Sequence, residues 1–260
     1  VRRLRLPLGP VAVFGASNFP LAFGTLGNDT ASAIAAGCPA VVKGHPAHPQ
    51  THELLLEIAQ GALAEAGAPE GTLTAVTGFE AGQALVLHPG IKAVVFTGSQ
   101  QGGMALHTLA WQRLIPVPVY AEMGTVNPVV VTTKAAESAT TIGAGAVASF
   151  TLGMGQYCTK PGLLLVPAGS HVLRAVANSL ARHTPRGQLL TPGIATGYAV
   201  GIDRLVAAGA AVVAHVPEPG EGNAVSAVVM TAHQSALVPG SALLEECFGP
   251  VILVVEYADA

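Results

Sequence analysis

Cys158 is the strongest candidate nucleophile in the sequence. It lies in the segment Gly153–Gly162, GMGQYCTKPG, where glycines crowd the thiol and polar side chains flank it. Such a loop exposes backbone N–H groups and lets a substrate approach closely, and a thiolate is a strong nucleophile. The alternative is that Cys158 is a small buried hydrophobic residue, the commonest state of a lone cysteine. Cys38 and Cys247 are predicted to be packing residues.

Glu122 is the second candidate for chemistry. It follows the β-rich run 117–120 and precedes Met123-Gly124. A carboxylate at the carboxyl end of a strand lies where ligands bind in open α/β sheets, and it can act as a general base. The alternative is an ordinary solvated glutamate.

Three histidines, His45, His48 and His52, raise the question of a metal site. The last two lie four residues apart and share one face of a helix. No carboxylate or cysteine nearby completes a set of metal ligands, so polar residues of a loop and a helix start are the favoured interpretation. We therefore predict no metal.

The elements that position these residues alternate between strand and helix. In the first half, short β-rich runs are predicted at Val11–Phe14, Ala40–Lys43, Leu73–Thr77, Ala93–Thr97 and Val117–Ala121. Helices are predicted between them at Leu21–Gly37, Thr51–Ala66, Gly82–Leu87 and Gly102–Trp111. Repeated β-α-β units with continuously apolar strands predict a doubly wound, parallel α/β sheet.

The second half continues the alternation with more glycine and proline. Strands are predicted at Pro128–Val131, Leu163–Val166, Ala211–His215, Ala224–Thr231 and Val251–Val255, and helices at Ser138–Ser149 and Leu173–Arg182. A domain boundary is expected near Ala121–Gly124. We therefore predict one domain over residues 1–122 and a second over 123–260.

Composition excludes several classes of protein. The chain has 260 residues, of which 50% are hydrophobic and 10% charged, and its net charge is −3. These values exclude disorder and give no electrostatic footprint for nucleic acid or an anionic membrane. Glycine, proline and polar residues interrupt each long charge-free stretch, so no membrane span is predicted. Three cysteines without a CxxC motif indicate a reducing compartment, and we expect a cytoplasmic protein.

A set of motifs in a fixed order resembles the aldehyde dehydrogenase superfamily. The motifs are Asn18-Phe19-Pro20, Val42-Lys43, Phe96-Thr97-Gly98-Ser99, Glu122-Met123-Gly124, Gly155-Gln156-Tyr157-Cys158 and Glu246-Cys247-Phe248-Gly249-Pro250. The segments 14–23, 29–32, 45–48, 116–122 and 158–162 are most similar to a branch typified by NADP-utilising 2,5-dioxovalerate (α-ketoglutaric semialdehyde) dehydrogenases.

The resemblance implies a catalytic role for three residues. Cys158 would attack the aldehyde carbon, and the Asn18 amide with the Cys158 N–H would stabilise the oxyanion. Glu122 would be the general base, acting on the thiol or on the hydrolytic water. Since Glu122 and Cys158 are far apart in sequence, the fold must bring them together.

The resemblance also implies a binding set for a dinucleotide, although GxGxxG is absent after the first strand. Lys43 would reach the adenosine ribose. Gly98 and Ser99 would begin the helix that receives the pyrophosphate, with Gly103 close by. Glu246 would hold the nicotinamide ribose, and Phe248 would pack near the nicotinamide.

Cofactor preference is implied by one position. NAD-preferring members often carry Glu three residues after the lysine, and this sequence has Pro46 there. Without a carboxylate, a 2′-phosphate meets no like-charge repulsion. The expected cofactor is therefore NADP, with NAD possible.

The resemblance covers nearly the whole chain but only the middle of the family pattern, which implies an incomplete catalytic domain and a central fragment of a homo-oligomeric enzyme. The second hypothesis is a truncated, non-catalytic remnant that at most binds cofactor or a partner chain. A CoA-acylating enzyme is disfavoured, because the base Glu122 is useful chiefly where water is the acceptor.

Overall fold

The computed structural model describes residues 6–217 and 220–258. These residues form two compact units, of which the first ends at Gly124 and the second begins at Thr125. Each unit is built around its own five-stranded sheet. The predicted α/β class is confirmed in both.

The sheet of the first unit is parallel throughout. Its strands, in the order β3-β2-β1-β4-β5, are joined by four helices in β-α-β units. In chain order the elements are β1 (Val11–Phe14), α1 (Asn28–Ala35), β2 (Ala40–Lys43), α2 (Pro49–Glu65), β3 (Leu73–Val76), α3 (Phe79–Leu87), β4 (Ala93–Gly98), α4 (Gln100–Trp111) and β5 (Val119–Met123).

Alternation along the strands supplies a core on each face of this sheet. Val11 and Val13 of β1 pack with residues of α1 and α2 on one face, whereas Ala12 and Phe14 pack with residues of α3 and α4 on the other. Successive side chains of a strand point to opposite faces, so these continuously apolar strands are covered on both sides.

Several predicted boundaries in this unit are wrong, since α3 begins at Phe79 rather than Gly82, and two of the differences have a clear physical cause. The helix expected over Leu21–Gly37 begins only at Asn28, because the preceding residues form turns closed by Phe23 N–H to Phe19 O at 2.9 Å and Ala16 N–H to Phe23 O at 2.8 Å. The last strand begins at Val119 rather than at Val117, since Pro118 has no N–H to donate to the ladder.

The sheet of the second unit is mixed, with the order β6-β7-β10-β9-β8. The edge strand β8 runs antiparallel to β9, and the other neighbouring strands of the sheet are parallel. The elements are β6 (Pro128–Val130), α5 (Thr133–Ala136), α6 (Ala139–Thr151), β7 (Leu163–Pro167), α7 (Val172–His183), α8 (Pro192–Ala207), β8 (Ala211–His215), β9 (Val228–Ala232) and β10 (Val251–Tyr257), with short 3₁₀ turns at Leu152–Gly155, Gln234–Ala236 and Ala242–Leu244.

The central strand β10 separates two layers of core. Ile252 and Val254 pack with side chains of α6 and α7, and Val251, Leu253 and Val255 pack with side chains that include those of α8. All five side chains are buried.

Sequence reasoning missed α5 and α8 and misplaced one strand here. Thr191 caps α8 because its hydroxyl accepts from Ile194 N–H, and Pro192 occupies the first helical position. A threonine followed by a proline is a sequence signal for the start of a helix. The strand expected from Ala224 begins only at Val228, because Ala224 forms an isolated antiparallel bridge with Gln188.

Across residues 6–217 and 220–258, none of the helices has both the length and the apolar character that crossing a membrane requires.

Candidate active site

Five of the predicted site residues lie at or just beyond the carboxyl ends of strands in the first unit. Asn18 follows β1, Lys43 ends β2, Gly98 ends β4 with Ser99 next, and Glu122 is the penultimate residue of β5. Strand order reverses between β1 and β4, which makes their carboxyl ends a topological switch point. Ligands of open α/β sheets bind in the crevice at such a point.

The start of α4 is suited to bind a phosphate. Ser99 is its N-cap, and the Ser99 hydroxyl accepts from Gly102 N–H at 3.1 Å. Ser99 and Gln100 are exposed, so the N-terminal end of the helix is open to an anion. Gly103 is buried instead, and a Cβ on it would lie 2.6 Å from Met123 Sδ. The structure therefore gives Gly103 a packing role, holding α4 close to β5.

Lys43 and the three histidines form a cluster at the end of β2. Lys43 is half-buried, and burial lowers the pKa of its ammonium group. His48 Nε2 donates to Ala16 O at 3.1 Å, and His52 Nδ1 shares a hydrogen bond of 2.7 Å with Thr25 Oγ1. These bonds tie the β2–α2 loop and the first turn of α2 to the loop that carries Asn18.

Burial, followed by the charges of His48 and Lys43, lowers the pKa of His45 to about 4. His45 is therefore neutral at pH 7. In the part of the chain that the structure describes, no three His, Cys, Asp or Glu side chains are arranged to hold a metal ion.

Glu122 lies beside a second carboxyl group that sequence reasoning missed. Glu122 is exposed and is the register partner of Thr97 in β4. The Thr97 hydroxyl donates to Asp29 Oδ2 at 3.1 Å. Burial raises the pKa of Asp29, the Thr97 hydrogen bond lowers it, and the charge of Glu122 raises it again. The only signal for Asp29 in the sequence was its place in the motif 29–32.

Cys158 lies on a tight turn in the second unit, and its side chain is exposed. The turn is closed by Lys160 N–H donating to Tyr157 O at 3.1 Å, a bond that does not use the Cys158 N–H. The exposed thiol excludes the buried alternative for Cys158. By contrast Cys38 and Cys247 are buried, as predicted for packing residues.

Gly155 brings the Cys158 segment against the segment that contains Glu246 and Phe248. Gly155 has φ +69°, in the left-handed region, and a Cβ on it would meet Gly249 O and lie 2.7 Å from Pro250 N. Only glycine combines that conformation with so close an approach. The two motifs, far apart in sequence, therefore adjoin.

Asn127 is a second residue that sequence reasoning missed. Its Nδ2 donates to Cys158 O at 2.6 Å and to Lys160 O at 3.0 Å. Its backbone φ is +47°, which asparagine tolerates better than most residues. The dipeptide Asn127-Pro128 was a readable turn signal, but nothing in the sequence tied it to Cys158.

We expect replacement of Asn127 to loosen the turn that presents Cys158. In the intact protein, Asn127→Asp and Asn127→Gly should each lower kcat by about 10–100-fold, because small displacements of a reacting group are costly. The glycine variant relieves the backbone strain without restoring the hydrogen bonds, so the two variants separate these causes. Steady-state kinetics measure the loss, and wild-type kcat in both variants would contradict the role.

Glu246 and a buried lysine line the same small pocket. Glu246 is half-buried, and burial raises the pKa of its carboxyl group while the charge of Lys160 lowers it. Lys160 is 5% exposed, and its Nζ donates to Val251 O at 2.9 Å. Lys160 was also missed, although it is a lone charge in a charge-poor stretch. Phe248 is half-buried two residues after Glu246.

The candidate site residues of the second unit lie at the amino ends of its parallel strands. Cys158 precedes β7, Glu246 and Phe248 precede β10, and Asn127 precedes β6. Gly162 N–H donates to Val126 O at 2.8 Å, which joins these segments. The structure thus groups Asn18, Lys43, Gly98, Ser99, Gly103 and Glu122 in one unit and Cys158, Glu246 and Phe248 in the other.

Comparison with known proteins assigns the family. A model of the aldehyde dehydrogenase family matches residues 2–260. The whole chain aligns with α-ketoglutaric semialdehyde dehydrogenase 2 of Azospirillum brasilense at 44% identity and with an α-ketoglutaric semialdehyde dehydrogenase of Acinetobacter baylyi at 40%, covering 50% of each. The chain therefore spans about half the length of these curated relatives.

A solved structure agrees with this assignment. The NAD-dependent aldehyde dehydrogenase of Sinorhizobium meliloti superposes with a TM-score of 0.78 at 25% identity, over 98% of this chain and 51% of that one. The fold, the ordered motifs and the family match lead to one conclusion: the chain belongs to the aldehyde dehydrogenase family.

Proposed function

We propose that the protein containing this chain oxidises a small polar aldehyde to the acid with NADP. The observation that carries the proposal is Cys158, an exposed thiol on a turn held by two hydrogen bonds from the Asn127 amide. A fixed and accessible thiol is the requirement for covalent catalysis on a carbonyl carbon.

The chemistry at Cys158 is addition, oxidation and hydrolysis. The thiolate sulfur adds to the aldehyde carbon, and the carbonyl oxygen becomes an oxyanion. Loss of hydride from that carbon leaves a thioester on Cys158. Water then attacks the thioester carbon, the carbon–sulfur bond breaks, and the carboxylic acid leaves while Cys158 returns to the thiol.

Two further residues assist these steps in the proposal. The Asn18 amide and the Cys158 N–H donate to the oxyanion, and removal of one such donor typically costs about 10²–10³ in rate. Glu122 accepts a proton from the thiol or from the attacking water. Both roles require Asn18 and Glu122 to reach Cys158.

The residues present fit a dinucleotide. The open N-terminus of α4 at the switch point suits a pyrophosphate, Lys43 at the end of β2 suits the adenosine ribose, and Glu246 suits the nicotinamide ribose, beside Phe248. When bound, the cofactor accepts the hydride. Because the helix end supplies the phosphate site, the chain needs no GxGxxG.

The preference for NADP is testable at Pro46. Pro46 is exposed in the turn closed by His48 N–H to His45 O. We expect Pro46→Glu to raise KM for NADP about tenfold or more and to leave KM for NAD nearly unchanged, because a carboxylate repels the 2′-phosphate. Pro46→Gln, which adds similar bulk without charge, is the control. Equal effects of Glu and Gln on NADP would contradict the preference.

The proposed substrate is 2,5-dioxovalerate, which gives 2-oxoglutarate. Support comes from the names of the two curated relatives that align with the whole chain. We also propose that the protein works as a homo-oligomer in a reducing compartment such as the cytoplasm, where three free thiols persist.

Single-turnover formation of NADPH tests the proposal. The intact protein is mixed with NADP and 2,5-dioxovalerate, and absorbance of NADPH is followed. A burst supports aldehyde oxidation. Binding of NADP without any NADPH would instead support the second hypothesis, a chain that binds cofactor without catalysis.

A further inference from the structure

Lys160 is an unusual residue for the interior of this protein. It is a charged side chain only 5% exposed, and burying an ammonium group is costly unless an anion compensates it. The hydrogen bond to Val251 O uses one of its three N–H donors. Burial lowers the pKa of Lys160, and its electrostatic interactions with Cys247 and Glu246 offset part of that shift.

The charged and titratable groups around the pocket identify the anion that compensates Lys160. Glu245 is already engaged, since its Oε2 pairs with Arg204 Nη1 of α8 at 2.8 Å. Burial raises the pKa of Cys247 to about 11, so its thiol is protonated at neutral pH.

Tyr198 of α8 is excluded as well. Burial raises the pKa of its phenol far above neutrality, and the hydroxyl donates to backbone carbonyls, to Ser226 O at 2.7 Å and to Pro250 O at 3.3 Å. Among the described carboxyl groups that line the pocket, Glu246 is therefore the one whose charge acts on Lys160, whereas Glu245 pairs with Arg204.

The backbone segments that carry Lys160 and Glu246 place both side chains at the same pocket. Lys160 lies two residues after Cys158 on the turn that Asn127 holds. Its ammonium reaches across to β10, just after the segment of Glu246, and both side chains line the same pocket. The hydrogen bond from Lys160 to Val251 therefore joins the thiol turn to the strand that follows the segment assigned to the nicotinamide ribose.

We propose that Lys160 is a positioning residue: from across the pocket that both side chains line, its buried ammonium orients the Glu246 carboxylate toward the hydroxyls of the nicotinamide ribose. This inference rests on the proposed function. Lys160 itself does not touch the substrate or the reacting atoms.

The pH dependence follows from the direction of the coupling. Lys160 lowers the pKa of Glu246, so removing the ammonium raises that pKa. A protonated Glu246 carboxyl group cannot accept hydrogen bonds through both of its oxygens. In the variant, cofactor binding therefore weakens as pH falls through the raised pKa of Glu246. The defect of a Lys160 variant should therefore be largest at low pH and shrink as pH rises.

The test uses Lys160→Met in the intact protein, with NADPH affinity from fluorescence titration and kcat and KM for NADP, all between pH 6 and 9. We expect KM for NADP to rise about tenfold near pH 6, a smaller rise near pH 9, and little change in kcat. Lys160→Arg should restore most of the affinity. Lys134→Met removes an exposed lysine that pairs with Glu137 at the surface and is the matched control.

A double-mutant cycle separates positioning from packing. In a Glu246→Gln background, Lys160→Met should have almost no further effect on NADPH affinity. A defect equal at every pH, or undiminished in the Glu246→Gln background, would overturn the inference. Failure of the proposed function is distinct, because the wild-type protein itself would then neither bind NADPH nor form it.

Discussion

Cys158→Ala should abolish aldehyde oxidation in the intact protein, with a fall in kcat on the order of 10⁴-fold or more. Alanine leaves no atom that can bond to the aldehyde carbon, so neither the burst of NADPH nor steady turnover remains. The turn itself should persist, since Asn127 contacts the backbone carbonyl of residue 158 rather than its side chain. Stopped-flow absorbance of NADPH checks both phases.

Cys38→Ala is the matched control for this experiment. Cys38 is a buried thiol in the first unit, and its Sγ donates to Ala36 O at 4.0 Å. We expect the variant to keep wild-type kcat and to lose a little stability from the small cavity. Appreciable steady-state activity in Cys158→Ala would contradict the covalent mechanism.

Glu122→Gln should leave acylation and block turnover. Glutamine keeps the shape of the side chain but cannot take a proton from water, so the thioester on Cys158 forms and then persists. We expect a burst of NADPH followed by a steady rate lowered by about 10²–10⁴-fold, the usual contribution of a general base. The burst and the steady phase are read from one absorbance trace.

Glu137→Gln is the comparison for that variant. Glu137 is an exposed carboxylate whose ion pair with Lys134 lies at the surface, and such pairs contribute little. Its loss should change neither phase. A steady rate near that of the wild type in Glu122→Gln would contradict the assignment of Glu122 as the base.

Much of the fold followed from local patterns. The strands β1 and β2 have the bounds that their apolar runs predict, because a parallel strand covered on both faces is continuously apolar. Predicted boundaries were wrong where backbone groups form hydrogen bonds that the apolar pattern of the sequence does not indicate. Before Asn28, turns closed by bonds to Phe19 O and Ala22 O replace the first part of the expected helix.

The residues missed at the site depend on contacts that no local pattern encodes. Asn127 and Cys158 are joined by a hydrogen bond between segments 31 residues apart. Lys160 and Val251 are joined across 91 residues. The glycine-rich surroundings of Cys158 in the sequence indicate a candidate nucleophile. The amide of Asn127 and the ammonium of Lys160, which hold its turn, come together only when β6, β7 and β10 lie side by side.

The central claim is that Cys158 becomes acylated by the aldehyde, and mass spectrometry tests it most directly. Glu122→Gln protein is mixed with NADP and 2,5-dioxovalerate, quenched in acid and digested. We expect the peptide containing Cys158 to carry the acyl group. In the control, which omits NADP and is quenched in the same way, the adduct should be absent. An unmodified Cys158 peptide alongside stoichiometric NADPH would contradict the central claim.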